Sequence, residues 1–311
     1  MIIKTPTRLH MGIIDISRKF PREYGALGMM VKGGFKIKVE KNDHLSIKAT
    51  KENATDIKAA YDAMKSELKI DDNIRIEVEK SIPRHMGLGS TTQLKLAVGA
   101  GIARLSNHNL SITELADIVG RGRYSAIGTY GFDKGGFILE GGKSSLDEIP
   151  PLTAHYEIPN DWRFLMIFPK IKQSYDEEEE KPIMDDIRID SKFTEKICHH
   201  IVMGVLPSVK TGSYKEFGKH ITQIQHFVGE SFSSYQQGSE FHPAVINIED
   251  KLEKLTFGAG QSSWGPTVYG ITNEENGDKA KAKIEKWLDK KKIEARVKLA
   301  EPDNEGAEFT D

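Results

Sequence analysis

Residues 82–93 read Ile-Pro-Arg-His-Met-Gly-Leu-Gly-Ser-Thr-Thr-Gln, two glycines followed by three hydroxyls, with Arg84 and His85 at the mouth. A strand-like run precedes them at 73–79 and a helix-like run follows at 94–105. A glycine-hydroxyl loop at a helix start is a ready anion site. Backbone N–H groups converge there, and the helix dipole places roughly half a positive charge at that end. Glycine removes the Cβ that would hold a phosphate away. A phosphorylated ligand is therefore expected at Arg84, His85, Gly87, Gly89, Ser90, Thr91 and Thr92. Gln93 is expected to point an amide near it.

Two more glycine-rich segments stand out. One runs Gly120-Arg121-Gly122-Arg123-Tyr124-Ser125-Ala126-Ile127-Gly128, with Gly135-Gly136 beyond it. The other is Phe257-Gly258-Ala259-Gly260-Gln261-Ser262-Ser263-Trp264-Gly265-Pro266-Thr267. Arg121 and Arg123 flank a glycine turn. Arg8 and His10, two residues apart in an otherwise apolar first strand, share one face of it.

The elements that must position these residues mix strands and helices. Alternating apolar and charged residues at 35–40 and 45–48 predict strands with one wet face. A helix is expected over 54–68, and Ser111-Ile112-Thr113-Glu114 opens another with a capping-box pattern. Residues 135–142 read as a short buried strand between glycine turns. Pro150-Pro151 breaks the pattern and suggests a boundary between domains 1–150 and 151–311. The second half predicts a strand at 162–168, a solvated acidic loop at 177–180, and helices at 191–207, 213–229 and 243–255. A strand at 267–271, a helix at 278–291 and a last strand at 293–299 follow. The polar tail 302–311 is expected to fray. Strands and helices mixed in both halves argue for an α+β protein of two domains.

With 311 residues and a formal net charge of −2, the chain has the balance of a soluble globular protein. Nothing suggests a nucleic-acid coat or a membrane surface as partner, and small-molecule substrates are expected. No apolar run approaches the roughly 20 residues that cross a bilayer. The first six residues read as a strand and not as a signal peptide, and a reducing cytoplasm is the expected setting. Cys198 is the only cysteine, which excludes an intrachain disulfide and a thiolate metal cluster. It lies in an amphipathic run and is expected to pack in the core.

Taken with Pro6-Thr7-Arg8-Leu9-His10, the three glycine segments resemble the GHMP kinase superfamily, named for galactokinase, homoserine kinase, mevalonate kinase and phosphomevalonate kinase. Pro83 to Ser90 matches that family's phosphate loop position by position. Within the superfamily, Arg8-Leu9-His10-Met11-Gly12-Ile13-Ile14-Asp15, Gly120-Arg121-Gly122-Arg123, Gly135-Gly136-Phe137-Ile138 and Gly260-Gln261-Ser262-Ser263-Trp264-Gly265-Pro266-Thr267 are similar to the β-ribofuranosylaminobenzene 5′-phosphate synthase family. The resemblance implies a GHMP kinase-like fold with a ferredoxin-like C-terminal domain, a left-handed crossover in the N-terminal domain, and a homodimer. It also implies phosphoribosyl transfer from phosphoribosyl pyrophosphate to a 4-substituted benzoate, amino or hydroxyl, in methanopterin biosynthesis. Carbon dioxide and pyrophosphate would leave. An ATP-dependent small-molecule kinase and a non-catalytic ligand-binding relative are the rival readings. Gly128 stands where several of the kinases carry a catalytic aspartate, and glycine cannot act as a base.

Such a synthase must grip two phosphate groups, tolerate positive charge at the anomeric carbon and hold the benzoate ring against it. The expected catalytic residues are Arg8, His10, Gln261 and Ser262. Arg121, Arg123, Ser263 and Trp264 join the loop residues in binding, Trp264 as an aromatic plane. A divalent cation, Mg²⁺ above all, is expected with pyrophosphate. Asp15 is its candidate ligand, and Asp185-Asp186 a weaker one.

Overall fold

The computed structural model describes residues 1–17, 19–70, 73–145, 147–171, 190–232 and 243–310. The acidic run 177–180 and the Asp185-Asp186 pair lie outside the described residues.

Pro6 splits the expected N-terminal strand into β1 (Ile2–Lys4) and β2 (Thr7–Asp15). After them come β3 (Tyr24–Val31), β4 (Lys36–Asn42), β5 (Ser46–Lys48), α1 (Lys51–Leu68), β6 (Asn73–Lys80), α2 (Ser90–Leu105) and α3 (Ile112–Ile118). Next are α4 (Ile127–Lys134), β7 (Phe137–Glu140), β8 (Leu152–Tyr156) and β9 (Trp162–Pro169). The helices α5 (Ser191–His200), α6 (Leu206–Thr211), α7 (Tyr214–Phe232) and α8 (Pro243–Glu253) follow, with a π-helical turn at Ile201–Val205. The chain closes through β10 (Ala259–Gln261), β11 (Val268–Asn273), α9 (Glu274–Lys291), β12 (Ala295–Ala300) and β13 (Glu308–Thr310).

The strands form three sheets, ordered β13-β1-β4-β6-β5, β2-β3-β7-β8 and β10-β11-β9-β12. In the third, a strand, a helical stretch, a hairpin, a helix and a strand occur in that sequence, with the first strand beside the last. This is the ferredoxin-like arrangement. β8 follows the two prolines yet pairs with β7, and the last strand, β13, pairs with β1, so two pairings cross the expected 150/151 boundary. Among the described residues, no helix is long and apolar enough to cross a membrane.

α2 is the central prop. Leu94, Leu96, Ala97, Val98 and Ile102 are buried along it, so it is apolar nearly all round, as befits a helix covered on every side. Gly99 and Gly101 let Leu115 on one side and Ile3 with Val39 on the other approach its backbone. A helix packed this way holds its N-terminus rigidly. α3 starts with the expected capping box between Ser111 and Glu114.

Two expectations fail. Cys198 stands exposed on α5 and not in the core, since the buried face of that helix is Phe193, Thr194 and Ile197. The tail does not fray. Asp303 O accepts from Gly136 N at 2.6 Å, and Phe309 lies under the Arg104 guanidinium at 3.6 Å. Asn304 binds the Ile158 backbone twice, accepting at 2.8 Å and donating at 2.9 Å. Each such bond contributes about 0.5–1.5 kcal/mol, and a partner left unsatisfied costs more. Asn304→Ala is therefore expected to lower unfolding free energy by about 1–3 kcal/mol in a urea titration; an unchanged midpoint would mean that the tail is decorative.

Candidate active site

Two backbones cross at the mouth of α2. The loop after β6 carries three consecutive alternate positions in the left-handed region, His85 (φ 57°), Gly87 (φ 73°) and Gly89 (φ 69°). The segment 261–267 lies directly on it. A Cβ on Gly87 would collide with the Ser262 carbonyl, and a Cβ on Gly265 would collide with the Gly87 amide. Ser262 ties the crossing together. Its Oγ donates to Gly87 O at 2.8 Å and accepts from His10 N at 3.0 Å, while its amide donates to Thr267 O at 2.9 Å. Arg8 on β2 donates through Nη2 to the same Gly87 carbonyl at 3.2 Å.

The start of α2 suits an anion. Gly89 is the N-cap, no side chain caps the first amides, and the first turn holds no carboxylate. Arg121 Nε donates to Thr92 Oγ1 at 3.1 Å. Arg8 Nε lies 3.3 Å from the β-position of Gly89. Two guanidinium groups and the positive end of a 16-residue helix thus meet around Ser90, Thr91 and Thr92. The positive charge gathered there favours a bound anion.

Several expected residues have other duties. Arg84 turns away from the loop to α1, where Nη1 meets Asp56 Oδ2 at 2.6 Å and Asn53 Oδ1 at 3.1 Å; it touches the loop through Thr91 Oγ1 at 3.4 Å. Arg123 pairs at the surface with Asp117 (2.8 Å) and Asp147 (3.4 Å). His85 points to solvent. Ser262 is fully buried as the hub of the crossing, and Gln261 closes its own turn, Nε2 donating to Gly265 O at 2.9 Å. Ser263 holds a left-handed turn (φ 55°), and Trp264 meets Phe232 edge-on, 5.4 Å between centroids.

Asp15 ends β2, seven residues from Arg8, roughly 20 Å away at 3.3 Å per residue. One pyrophosphate cannot touch both. Asp15 Oδ1 accepts from Ser17 N at 2.7 Å and Thr194 Oγ1 at 2.9 Å. Among the described residues, no three His, Cys, Asp or Glu side chains converge as a metal cage.

His10 adds no positive charge. Burial, reinforced by the Arg8 charge, pushes its imidazole down to about 3, although some of its surface remains accessible. Gln93 is fully buried and does not face a ligand: its Nε2 donates to Gly128 O at 2.8 Å. A Cβ at Gly128 would lie 3.2 Å from Thr92 Cγ2. The place that Gly128 occupies is thus tight and backed by an amide.

Other residues carry no signal along the sequence. Gln225 on α7 bridges two elements, donating to Met11 O at 2.6 Å and accepting from Gln261 N at 3.0 Å. The nearly buried ammonium of Lys143 lies over the rings of Tyr24 (5.1 Å) and Tyr124 (4.7 Å). Burial pushes Glu140, beside the start of α4, up to about 8.

Two family models match the chain, GHMP kinases N terminal domain over residues 56–139 and GHMP kinases C terminal over 205–290. The solved homoserine kinase of Cytophaga hutchinsonii superposes with a TM-score of 0.74 at 16% identity, covering 99% of this chain and 96% of that one. The fold is therefore of the GHMP kinase class. The β-ribofuranosylphenol 5′-phosphate synthase of Methanothermobacter thermautotrophicus is 30% identical over 309 residues, covering 92% of each chain. Its namesake in Archaeoglobus fulgidus is 29% identical over 320 residues, covering 99% of this chain and 98% of the relative. The chain belongs to this synthase family.

Gly87→Ala should lower unfolding free energy by about 3 kcal/mol or more, through collision and φ strain together. Gly120→Ala, with φ 67° but open space around it, should cost only about 1–2 kcal/mol. Equal losses in urea titrations would refute the crossing. His10 predicts a pH effect. Its folded value lies below the unfolded one near 6.5, so only the unfolded chain takes up the proton between them. Stability is therefore lost as pH falls from about 6.5, by at most about 1.4 kcal/mol per pH unit. Relative to His10→Gln, the parent should weaken progressively below pH 6.5; parallel curves would contradict this.

Proposed function

We infer that the protein transfers the phosphoribosyl group of phosphoribosyl pyrophosphate to 4-hydroxybenzoate or 4-aminobenzoate, releasing carbon dioxide and pyrophosphate. The anomeric C–O bond breaks and its electron pair leaves with pyrophosphate. The ring carbon that carries the carboxylate attacks the anomeric carbon. The pair of the ring–carboxylate bond returns to the ring as carbon dioxide departs. The name of the relatives, a ribofuranosylphenol phosphate, favours the hydroxyl acceptor.

The observation that carries the reading is the α2 mouth, with Arg8 and Arg121 at a helix start that has no side-chain cap and no carboxylate of its own in the first turn. It can hold phosphate and stabilise a leaving anion, a task that needs no protein nucleophile. The aspartate base of several of the kinases has no counterpart: Gly128 is in its place, and the Gln93 amide is bonded to the Gly128 carbonyl. Ser263 and Trp264 are the candidates to meet the aromatic acid. Mg²⁺ would come with the pyrophosphate oxygens and water, with Asp15 too distant to join it at the α2 mouth. Two copies of the chain are expected to pair, and the cytoplasm remains the expected setting.

The test is release of labelled carbon dioxide from carboxyl-labelled 4-hydroxybenzoate or 4-aminobenzoate with phosphoribosyl pyrophosphate and Mg²⁺. Arg121→Ala should raise KM for phosphoribosyl pyrophosphate about 10- to 100-fold, the worth of one charge-assisted phosphate contact. Arg123→Ala, already paired at the surface, should leave it unchanged. ATP turnover on a small alcohol without carbon dioxide release would establish the kinase instead.

A further inference from the structure

His200 ends α5 and His220 lies on α7, and their Nδ1 atoms stand 2.8 Å apart with ring centroids separated by 5.1 Å. The π-helical turn Ile201–Val205 follows His200 directly, with Leu206 N–H bonded to Ile201 O. Single π turns of this kind cluster at functional sites. Gly204, inside the turn, lies flat beneath the second imidazole, where a Cβ would collide with His220 Cγ, Cδ2 and Nδ1. Phe227 flanks the His200 ring at 5.7 Å. The neighbourhood fixes the two rings with their nitrogens converging.

We propose that His200 and His220 chelate a divalent transition metal that favours imidazole, Ni²⁺ or Cu²⁺ and not Mg²⁺. Two nitrogens bonded to one metal at about 2.0–2.1 Å, in neighbouring positions at right angles, stand about 2.9 Å apart. In the metal-free chain the two Nδ1 atoms share a hydrogen bond of 2.8 Å, a separation close to that bite, and the ion would take the place of the shared proton. Tetragonal ions with nitrogen ligands have this geometry, whereas Mg²⁺ demands oxygen. Glu216, one helical turn before His220, acts on it electrostatically and offsets part of the ion's charge against Lys219. Water completes the shell, because among the described residues no third protein ligand joins the pair.

The joint matters to the rest of the molecule. α5 holds Thr194 against Asp15, and α7 holds Gln225 between β2 and β10. An ion across His200 and His220 locks together the two helices that brace β2.

The experiment is calorimetric titration of the untagged, chelator-treated full chain with NiCl2 in excess Mg²⁺. A single Ni²⁺ should bind per chain. His200→Gln and His220→Gln should each weaken binding at least about tenfold, as loss of half the ligand set requires. His226→Gln, which removes an exposed histidine paired with Glu253, should leave binding unchanged. Ni²⁺ should raise Tm in the parent and not in the two variants. Should His220→Gln misfold, His200→Gln, with its exposed neighbour His199, carries the test alone. Absence of Ni²⁺ binding in the parent, binding that survives His200→Gln, or competition by Mg²⁺ would overturn the proposal.

Discussion

The contact on which the site depends is backbone against backbone. Gly87 touches Ser262 and Gly265 with no side chain between them. Chains approach so closely only where both lack a Cβ or face it away. The approach buries the Ser262 hydroxyl, and a buried hydroxyl must be satisfied. It is satisfied from two directions, by the Gly87 carbonyl and the His10 amide. One oxygen therefore fixes β2, the loop before α2 and the segment after β10 in a single register. Arg8 is aimed by the same register, since its guanidinium shares the Gly87 carbonyl and lies against Gly89.

The loop was legible in the sequence because everything that defines it is local. Glycines, hydroxyls and the following apolar periodicity sit within a dozen residues. Arg84 and Arg123 were not legible, because an arginine is assigned by whichever carboxylate the fold brings near. Arg84 found Asp56 on α1, and Arg123 found Asp117 and Asp147. Pro150-Pro151 was read as a boundary because it interrupts periodicity. The interruption lies in the connection between two paired strands, β7 and β8. The tail looked frayed because its polarity is real. The Asn304 amide is bonded to the Ile158 backbone 146 positions away and the Asp303 main-chain carbonyl accepts from Gly136 N, which no local pattern reports.

Gln93 and Gly128 belong together. A polar side chain in the first turn of α2 appeared to face the ligand. Instead it reaches under α4 and takes the carbonyl of the residue that stands in the kinases' aspartate position. With the Thr92 methyl 3.2 Å from a hypothetical Cβ there, a side chain could return only if Thr92 gave way by a few tenths of an ångström. The two positions are thus coupled by packing, and the chemistry open to the fold narrows with them.

The pairing of β1 with β13 also sets an order of events during synthesis. Lys4 and Glu308 are partners 304 positions apart. At roughly 5–20 residues per second, β1 has left the ribosome on the order of 15–60 s before its edge partner exists. Through that interval the first strand is covered on one side by β4 alone, and its other edge is open to a foreign strand. Lys4 at its end is a charge of the kind that discourages such pairing. The newborn chain thus guards an edge that the finished one closes.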